Sequence, residues 1–212
     1  MSKFLPYFMQ EFHDALLRPN GNNPVRDRAS GFKKIFEILD DIKEKDPHQY
    51  FTIVETGTTR GDHGSLAYGD DGASTVIFDS CVNHIGGRVK SVDINPDNVA
   101  HCKKHVSSLT EVICMDSVEY LWSIHHTHTI DLLYLDSFDV VRENPHPSAI
   151  HHLKELAAAI KNLRPGSIVA VDDADAFFDG GKTGKAMYVR EFADHVGWDK
   201  VWDGYQLIYR VK

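Results

Sequence analysis

Apolar residues follow two alternating rhythms along this chain. A three-to-four spacing puts Phe32, Ile35, Phe36, Leu39 and Ile42 on one face of a helix. The run FTIVE (51–55) then offers the apolar and β-branched residues that suit a buried strand. The exchange repeats with strands at 88–93 (RVKSVD), 111–114 (EVIC), 131–136 (DLLYLD) and 167–172 (SIVAVD). Helices are expected between them: 74 to about 85, 95 to about 106, 117–123, 148–163 and 183–196. Ser74 is expected to cap the first of these, and Asn95 the second, with Pro96 at its first position. On the 148–163 helix the spacing turns Ile150, Leu153, Leu156, Ile160 and Leu163 inward, and RPG (164–166) ends it. Residues 1–24 read as a lead-in, RPNGNNPVRD (18–27) as loop, and RGDHGSLAYGDDGA (60–73) as a long Gly/Asp-rich loop.

Strand and helix alternating so regularly predict an α/β fold: a doubly wound, Rossmann-like sheet with helices on both faces. Two last strands fall within 199–211, too close together for a parallel crossover, so they must form an antiparallel edge pair. The count is seven strands, mostly parallel, in a single domain over 1–212.

Composition narrows the partners. The chain has 212 residues, 42% hydrophobic and 25% charged, and a formal net charge of −8. No Lys/Arg cluster makes a basic face, which argues for a small-molecule partner and against nucleic acid. No run approaches the roughly 20 apolar residues that span a bilayer, so no membrane partner is expected. Self-association stays open. The opening MSKFLPYFMQEF lacks the apolar core and small-residue cleavage site of a signal peptide. Three cysteines, Cys81, Cys102 and Cys114, make an odd set, expected as buried free thiols in a reducing cytoplasm.

Ligands of open α/β sheets sit beyond the carboxyl ends of the strands. Here those ends read Glu55-Thr-Gly57, Asp93, Asp116, Asp136 and Asp172-Asp173. Packing does not require an acid at nearly every strand end; a binding rim does. Gly57 and Gly61 let a loop turn tightly and let backbone approach a ligand. Their spacing, E-x-G-x-x-x-G, is not the G-x-G-x-x-G that cradles a pyrophosphate. Asp93 is placed to accept from two ribose hydroxyls. Asp116 suits either an adenine pocket or the N-cap of the helix that follows.

The series VETGTTRG, VKSVDINP, CMDSVEYL, DLLYLDSFD and LRPGSIVAVDDAD resembles the class I S-adenosylmethionine (SAM)-dependent methyltransferases over roughly residues 50–175. Within them it is similar to metal-dependent small-molecule O-methyltransferases of the catechol and macrocin types. The resemblance implies methyl transfer from SAM to a hydroxyl of a small acceptor. It implies a cofactor site at Glu55, Gly57, Thr58, Gly61, Asp93, Asp116, Ser117 and Asp136. It further implies Mg²⁺ held by Asp136, Asp172 and Asp173, hard oxygen ligands of the kind that ion takes. The plain alternative is that the acidic pair only caps its loop.

The chain departs from those relatives at Asp139, which stands where catechol-type enzymes carry a lysine three residues after the first metal-binding Asp. The base is therefore sought among Asp136, Asp139 and the histidines at 146, 151 and 152, of which His151 and His152 are the catalytic candidates. GGKTGK (180–185) lacks the first glycine of a phosphate loop, since position 176 is Ala176. Its lysines, Lys182 and Lys185, are read as meeting an anionic acceptor group, or its glycines as hinging a lid. HHTH (125–128) falls at the wrong end of the sheet for the site. Two other functions stay in view: SAM binding without turnover, and aminopropyl transfer on the same fold.

Overall fold

The computed structural model of the chain describes residues 3–17, 26–61, 73–125 and 128–212. Among them seven strands form one sheet: β1 (Phe51–Thr56), β2 (Gly87–Asp93), β3 (Thr110–Cys114), β4 (Leu132–Leu135), β5 (Ile168–Val171), β6 (Asp199–Asp203) and β7 (Leu207–Arg210). Their order is β3-β2-β1-β4-β5-β7-β6. The first five are parallel, and β7 pairs antiparallel with both β5 and β6. The chain winds outward from β1 to β3, then returns to lay β4 on the other side of β1. The loops leaving β1 and β4 therefore diverge, and a crevice opens between them. The outer edge strand β6 carries Asp199, Lys200 and Asp203.

Among the described residues eight α-helices flank the sheet: α1 (Phe4–Glu11), α2 (His13–Leu16), α3 (Arg28–Lys45), α4 (Ser74–Ile85), α5 (Pro96–Cys102), α6 (Ser117–Ser123), α7 (His146–Ala159) and α8 (Met187–His195). Alternate residues of β1, β4, β5 and β7 feed two cores. On β4, Leu132 and Tyr134 join Phe4, Phe8, Phe32, Phe36 and Phe78 on one side. Leu133 and Leu135 join Leu121, Leu156 and Val189 on the other. The first core is aromatic. Phe32 stacks on Tyr134 with centroids 5.6 Å apart, and Phe78 meets both edge-on at 5.6 and 5.1 Å.

Several sequence expectations need correction. Residues 4–16 are not a lead-in: α1 and α2 bury Phe4, Phe8 and Leu16 in the aromatic core. Asp40 of α3 receives the backbone amides of Phe4 and Leu5, both at 2.9 Å, and so caps α1 from outside its own sequence. Ser74 does not cap α4. Ala73 holds that position with φ 45°, and the Ser74 hydroxyl turns to Glu55 instead. On α7 the buried face is Ser148, Ala149, His152, Glu155, Leu156 and Ala159, so Ile150 points outward at 42% exposure. Cys81 and Cys102 are buried but Cys114 is exposed; all three are free. Helix α8 starts at Met187, not 183, and α5 ends at Cys102. Most of the 60–73 loop and part of HHTH lie outside the described residues. The Asn95 cap holds, its side chain accepting from the Asp97 amide at 2.9 Å. No helix among the described residues is long and apolar enough to cross a membrane.

Phe32 has no exposed surface and touches the sheet through Tyr134. Phe32→Ala is expected to cost about 3–5 kcal/mol, read as a drop in the urea midpoint with an unchanged denaturant slope.

Candidate functional site

The crevice is built on one glycine. Gly57 leaves β1 with φ 81°, and a Cβ there would stand 2.6 Å from the Asp136 carbonyl oxygen and 3.2 Å from the Ser137 Cα. Only glycine lets the ends of β1 and β4 approach this closely. The Gly57 amide donates to the Val92 carbonyl at 2.8 Å, which fixes the turn against β2. Two adjoining cavities, about 210 and 300 Å³, share Gly57, Asp93, Ile94 and Ser137. Thr58, Asn98, Asp136 and Asp139 line the first. Asp116, Ser117, Phe138 and His151 line the second.

Asp93 closes β2 at the junction. One oxygen receives the Asn95 amide at 2.7 Å; the other receives the Thr58 amide and the Asn98 side chain, each at 3.2 Å. Asp116 accepts from the Glu119 amide at 3.0 Å as the cap of α6, and the residue also lines the second cavity.

Glu55 lies beneath the pocket rather than on its wall. It is fully buried and receives the hydroxyls of Ser74 (2.5 Å), Thr75 (2.6 Å) and Ser91 (2.6 Å). Thr75 Oγ1 in turn accepts the Thr59 amide at 3.0 Å. The acid thus holds the loop after β1 against the start of α4 and shapes the pocket floor. Burial pushes its carboxyl up to about 7 from the usual 4.5, against the opposing pull of the three hydroxyls. Gly61 likewise serves packing, since a Cβ there would strike the His101 ring at 2.5 Å.

The two candidate histidines part company. His151 faces the second cavity, with Nε2 3.1 Å from Ser117 Oγ and 3.3 Å from Glu155 Oε1. The bond to Glu155 raises its pKa against the cost of burial. Glu155 has no exposed surface and also receives the Ser137 hydroxyl at 2.6 Å, so α7 is tied to the turn after β4. His152 turns into the core, its Nδ1 2.7 Å from the Ser148 carbonyl, and burial pushes it down to about 4. It lines none of the cavities described here.

Asp136, Asp172 and Asp173 come together as the sequence suggested: one carboxylate oxygen from each lies within 4.8 Å of the others. Two cations that sequence reasoning did not place there sit among them. Lys185 Nζ is 2.5 Å from Asp136 Oδ1 and 3.1 Å from Asp173 Oδ2. Arg28 donates to Asp172 at 2.7 Å and to Asp173 at 3.1 Å. The Tyr205 hydroxyl also donates to Asp173. Burial works to lower the Lys185 pKa, but the three acids outweigh it and hold the amine charged. Lys185 and Arg28 likewise hold Asp173 low against its burial. Three acids exceed two cations by one, and burial pushes the Asp136 carboxyl up despite Lys185. The one available signal for Lys185 was its place in GGKTGK just after the acidic pair; Arg28, 144 residues before Asp172, had none.

A third cavity, about 300 Å³, adjoins the first through Arg60, Asp136 and Asp139. Phe177 and Val140 supply its apolar wall, and Arg26 and Arg28 line it as well. Asp139 pairs with Arg60 at 3.1 Å and is 69% exposed. Phe178 and Trp122 are largely exposed, Trp122 at 54%.

No family model matches the chain, and no curated protein matches it. Solved structures do. The MycE methyltransferase of the mycinamycin biosynthetic pathway, in complex with Mg, SAH and mycinamycin VI, is 18% identical with a TM-score of 0.55, over 83% of this chain and 49% of that one. This chain therefore spans about half the length of MycE. CalS11, a TDP-rhamnose 3′-O-methyltransferase of calicheamicin biosynthesis, is 16% identical in its apo structure with a TM-score of 0.54, over 98% and 90%. A second CalS11 structure gives 16% and 0.51. The chain has the fold of the class I SAM-dependent methyltransferases: a mostly parallel seven-stranded sheet with an antiparallel edge pair.

Gly57→Ala should force β1 and β4 apart at the crevice. A strain of roughly 1–3 kcal/mol concentrated there predicts a lower urea midpoint than that of the natural chain. Glu55 gives a pH signature. Its folded pKa is raised, so between about 4.5 and 7 the folded chain keeps a proton that the unfolded chain releases. Its contribution is therefore most favourable below that window, falls as pH rises through it and then levels, by roughly 3 kcal/mol in all. Glu55→Gln should remove that part of the slope in unfolding free energies measured at pH 5 and pH 7.5.

Proposed function

We propose that this chain is a SAM-dependent methyltransferase that methylates a hydroxyl oxygen of a small molecule. The observation that carries the reading is the crevice at Gly57. Asp93 stands at its centre with a carboxylate for ribose hydroxyls, Ile94 and Phe138 offer apolar faces for adenine, and a separate cavity opens at Asp136 and Asp139. MycE and CalS11 share the fold, and the CalS11 description names O-methylation of a sugar. The free cysteines suit the reducing cytoplasm in which we place the protein.

Bound SAM supplies a methyl group activated by its sulfonium. The chain's part is to hold and orient both partners. Asp93 fixes the ribose end, while the Gly57 turn lets backbone reach the ligand without a side chain between. Asp136 and Asp139 line both the cofactor cavity and the acceptor cavity. As the acceptor oxygen forms its bond to the methyl carbon and the carbon–sulfur bond breaks, the hydroxyl proton must leave. Asp139, exposed between the two cavities and oriented by Arg60, is the carboxylate that takes it.

The Mg²⁺ implied by the resemblance meets a divided site. The donor set suits it: three clustered carboxylates, with Asp172 Oδ1 buried and without a hydrogen-bond partner. Yet the ammonium of Lys185 already lies in contact with two of the three ligands. As arranged, the residues do not fit a divalent ion, and no step of the transfer is routed through one.

Asp93→Ala should weaken SAM binding about 10- to 100-fold, whereas Asp139→Asn should bind SAM normally and lose most turnover. Calorimetry with SAM, and release of SAH in the presence of hydroxylated acceptors, separate the two. Unchanged SAM affinity in Asp93→Ala would sink the reading. A chain that binds SAM but never turns over would be a binding module.

A further inference from the structure

The loop 180–185 lies against the backbone of the acidic pair. A Cβ at Gly184 would run into the carbonyl oxygens of both Ala174 and Asp173. The Lys185 amide donates to the Asp173 carbonyl at 3.1 Å. Upstream, Asp175 receives the amides of Asp179 and Gly181, each at 2.9 Å, and Asp179 receives the Lys182 amide at 2.9 Å and the Thr183 hydroxyl. The loop is thus tied to itself and then to the strand end. This construction delivers one side chain: Lys185, with 1% of its surface exposed, enters the acidic trio and spans Asp136 and Asp173.

We infer that Lys185, with Arg28, is the permanent counter-cation of Asp136, Asp172 and Asp173, and that its ammonium takes the place of a divalent ion. A buried ammonium is retained only where carboxylates compensate its lost hydration, and here two do so directly. A divalent ion drawing on the same oxygens would share a ligand shell with that ammonium, two like charges at contact distance. The lysine must leave before the ion can enter, and Gly184 packing holds its backbone in place. The unmodified chain is therefore metal-independent at this site. Removing the ammonium while keeping the stem would uncover three carboxylates against Arg28 alone, with Asp172 Oδ1 already unpartnered. That arrangement is a hard-cation site. The inference concerns metal binding and holds whether or not the chain transfers methyl groups.

The test is terbium titration of the full chain, followed by luminescence sensitised through Tyr205, whose hydroxyl touches Asp173. The natural chain should give no saturable signal and no thermal shift with Mg²⁺. Lys185→Met should give a saturable signal at least tenfold tighter than any residual binding, displaced by Mg²⁺ and abolished by adding Asp172→Asn. Saturable, Mg²⁺-competed binding to the natural chain that Asp172→Asn removes would overturn the inference, as would a Lys185→Met chain that folds but gains no site. Should Lys185→Met fail to fold, the natural chain and Asp172→Asn alone decide: Asp172-dependent Mg²⁺ binding refutes, and its absence in the folded natural chain upholds. Methyl transfer, which is scored separately by SAH release, should be indifferent to EDTA.

Discussion

Charge compensation at one rim of the sheet joins segments that sequence keeps far apart. Arg28 comes from the start of α3, Asp136 from the end of β4, Asp172 and Asp173 from the end of β5, Lys185 from the loop before α8 and Tyr205 from the turn before β7. None of these groups is tolerable there alone. An uncompensated charge in such a buried place costs several kcal/mol, so each residue is held by the presence of the others. The cluster is thus a clamp on tertiary structure before it is anything else. It pins the helical N-terminal region to the same end of the sheet where the crevice opens.

The crevice uses a different device. Around Gly57 the chain needs backbone next to backbone, and the polar groups this exposes must be answered. Glu55 answers on the inner side through three hydroxyls; Asp93 answers on the outer side through two amides and an asparagine. One acid is spent on holding the loop and the other is left facing the cavity, though both end neighbouring strands. Burial separates their roles: Glu55 has no exposed surface, while Asp93 lines both pockets.

The strands, their order of use and the antiparallel edge were legible because period and spacing are local properties of the sequence. So was the rim, since strand ends can be counted. What escaped was whatever depends on partners distant in sequence. α1 and α2 carried helical apolar positions at Phe4, Phe8 and Leu16 but no strand to announce what they pack on. The face of α7 was misjudged because apolar Ile150 was counted inward, whereas Glu155 and His152 are buried by bonds to Ser137 and Ser148. Ser74 looked like a cap and is a ligand of Glu55. Lys185 looked like an anion binder for an acceptor and binds the chain's own acids.

The sheet ends on its β7 side at β6, whose Asp199, Lys200 and Asp203 mix both signs of charge along a short, bulged strand. Another chain adding itself there would have to strip water from these groups to reach the free amides and carbonyls. Lys200 is already engaged by Asp194 and Asp203, and Asp199 by Lys212, so that fence is held upright. Strand-by-strand growth from this border is therefore disfavoured even though the neighbouring β7 is almost wholly apolar.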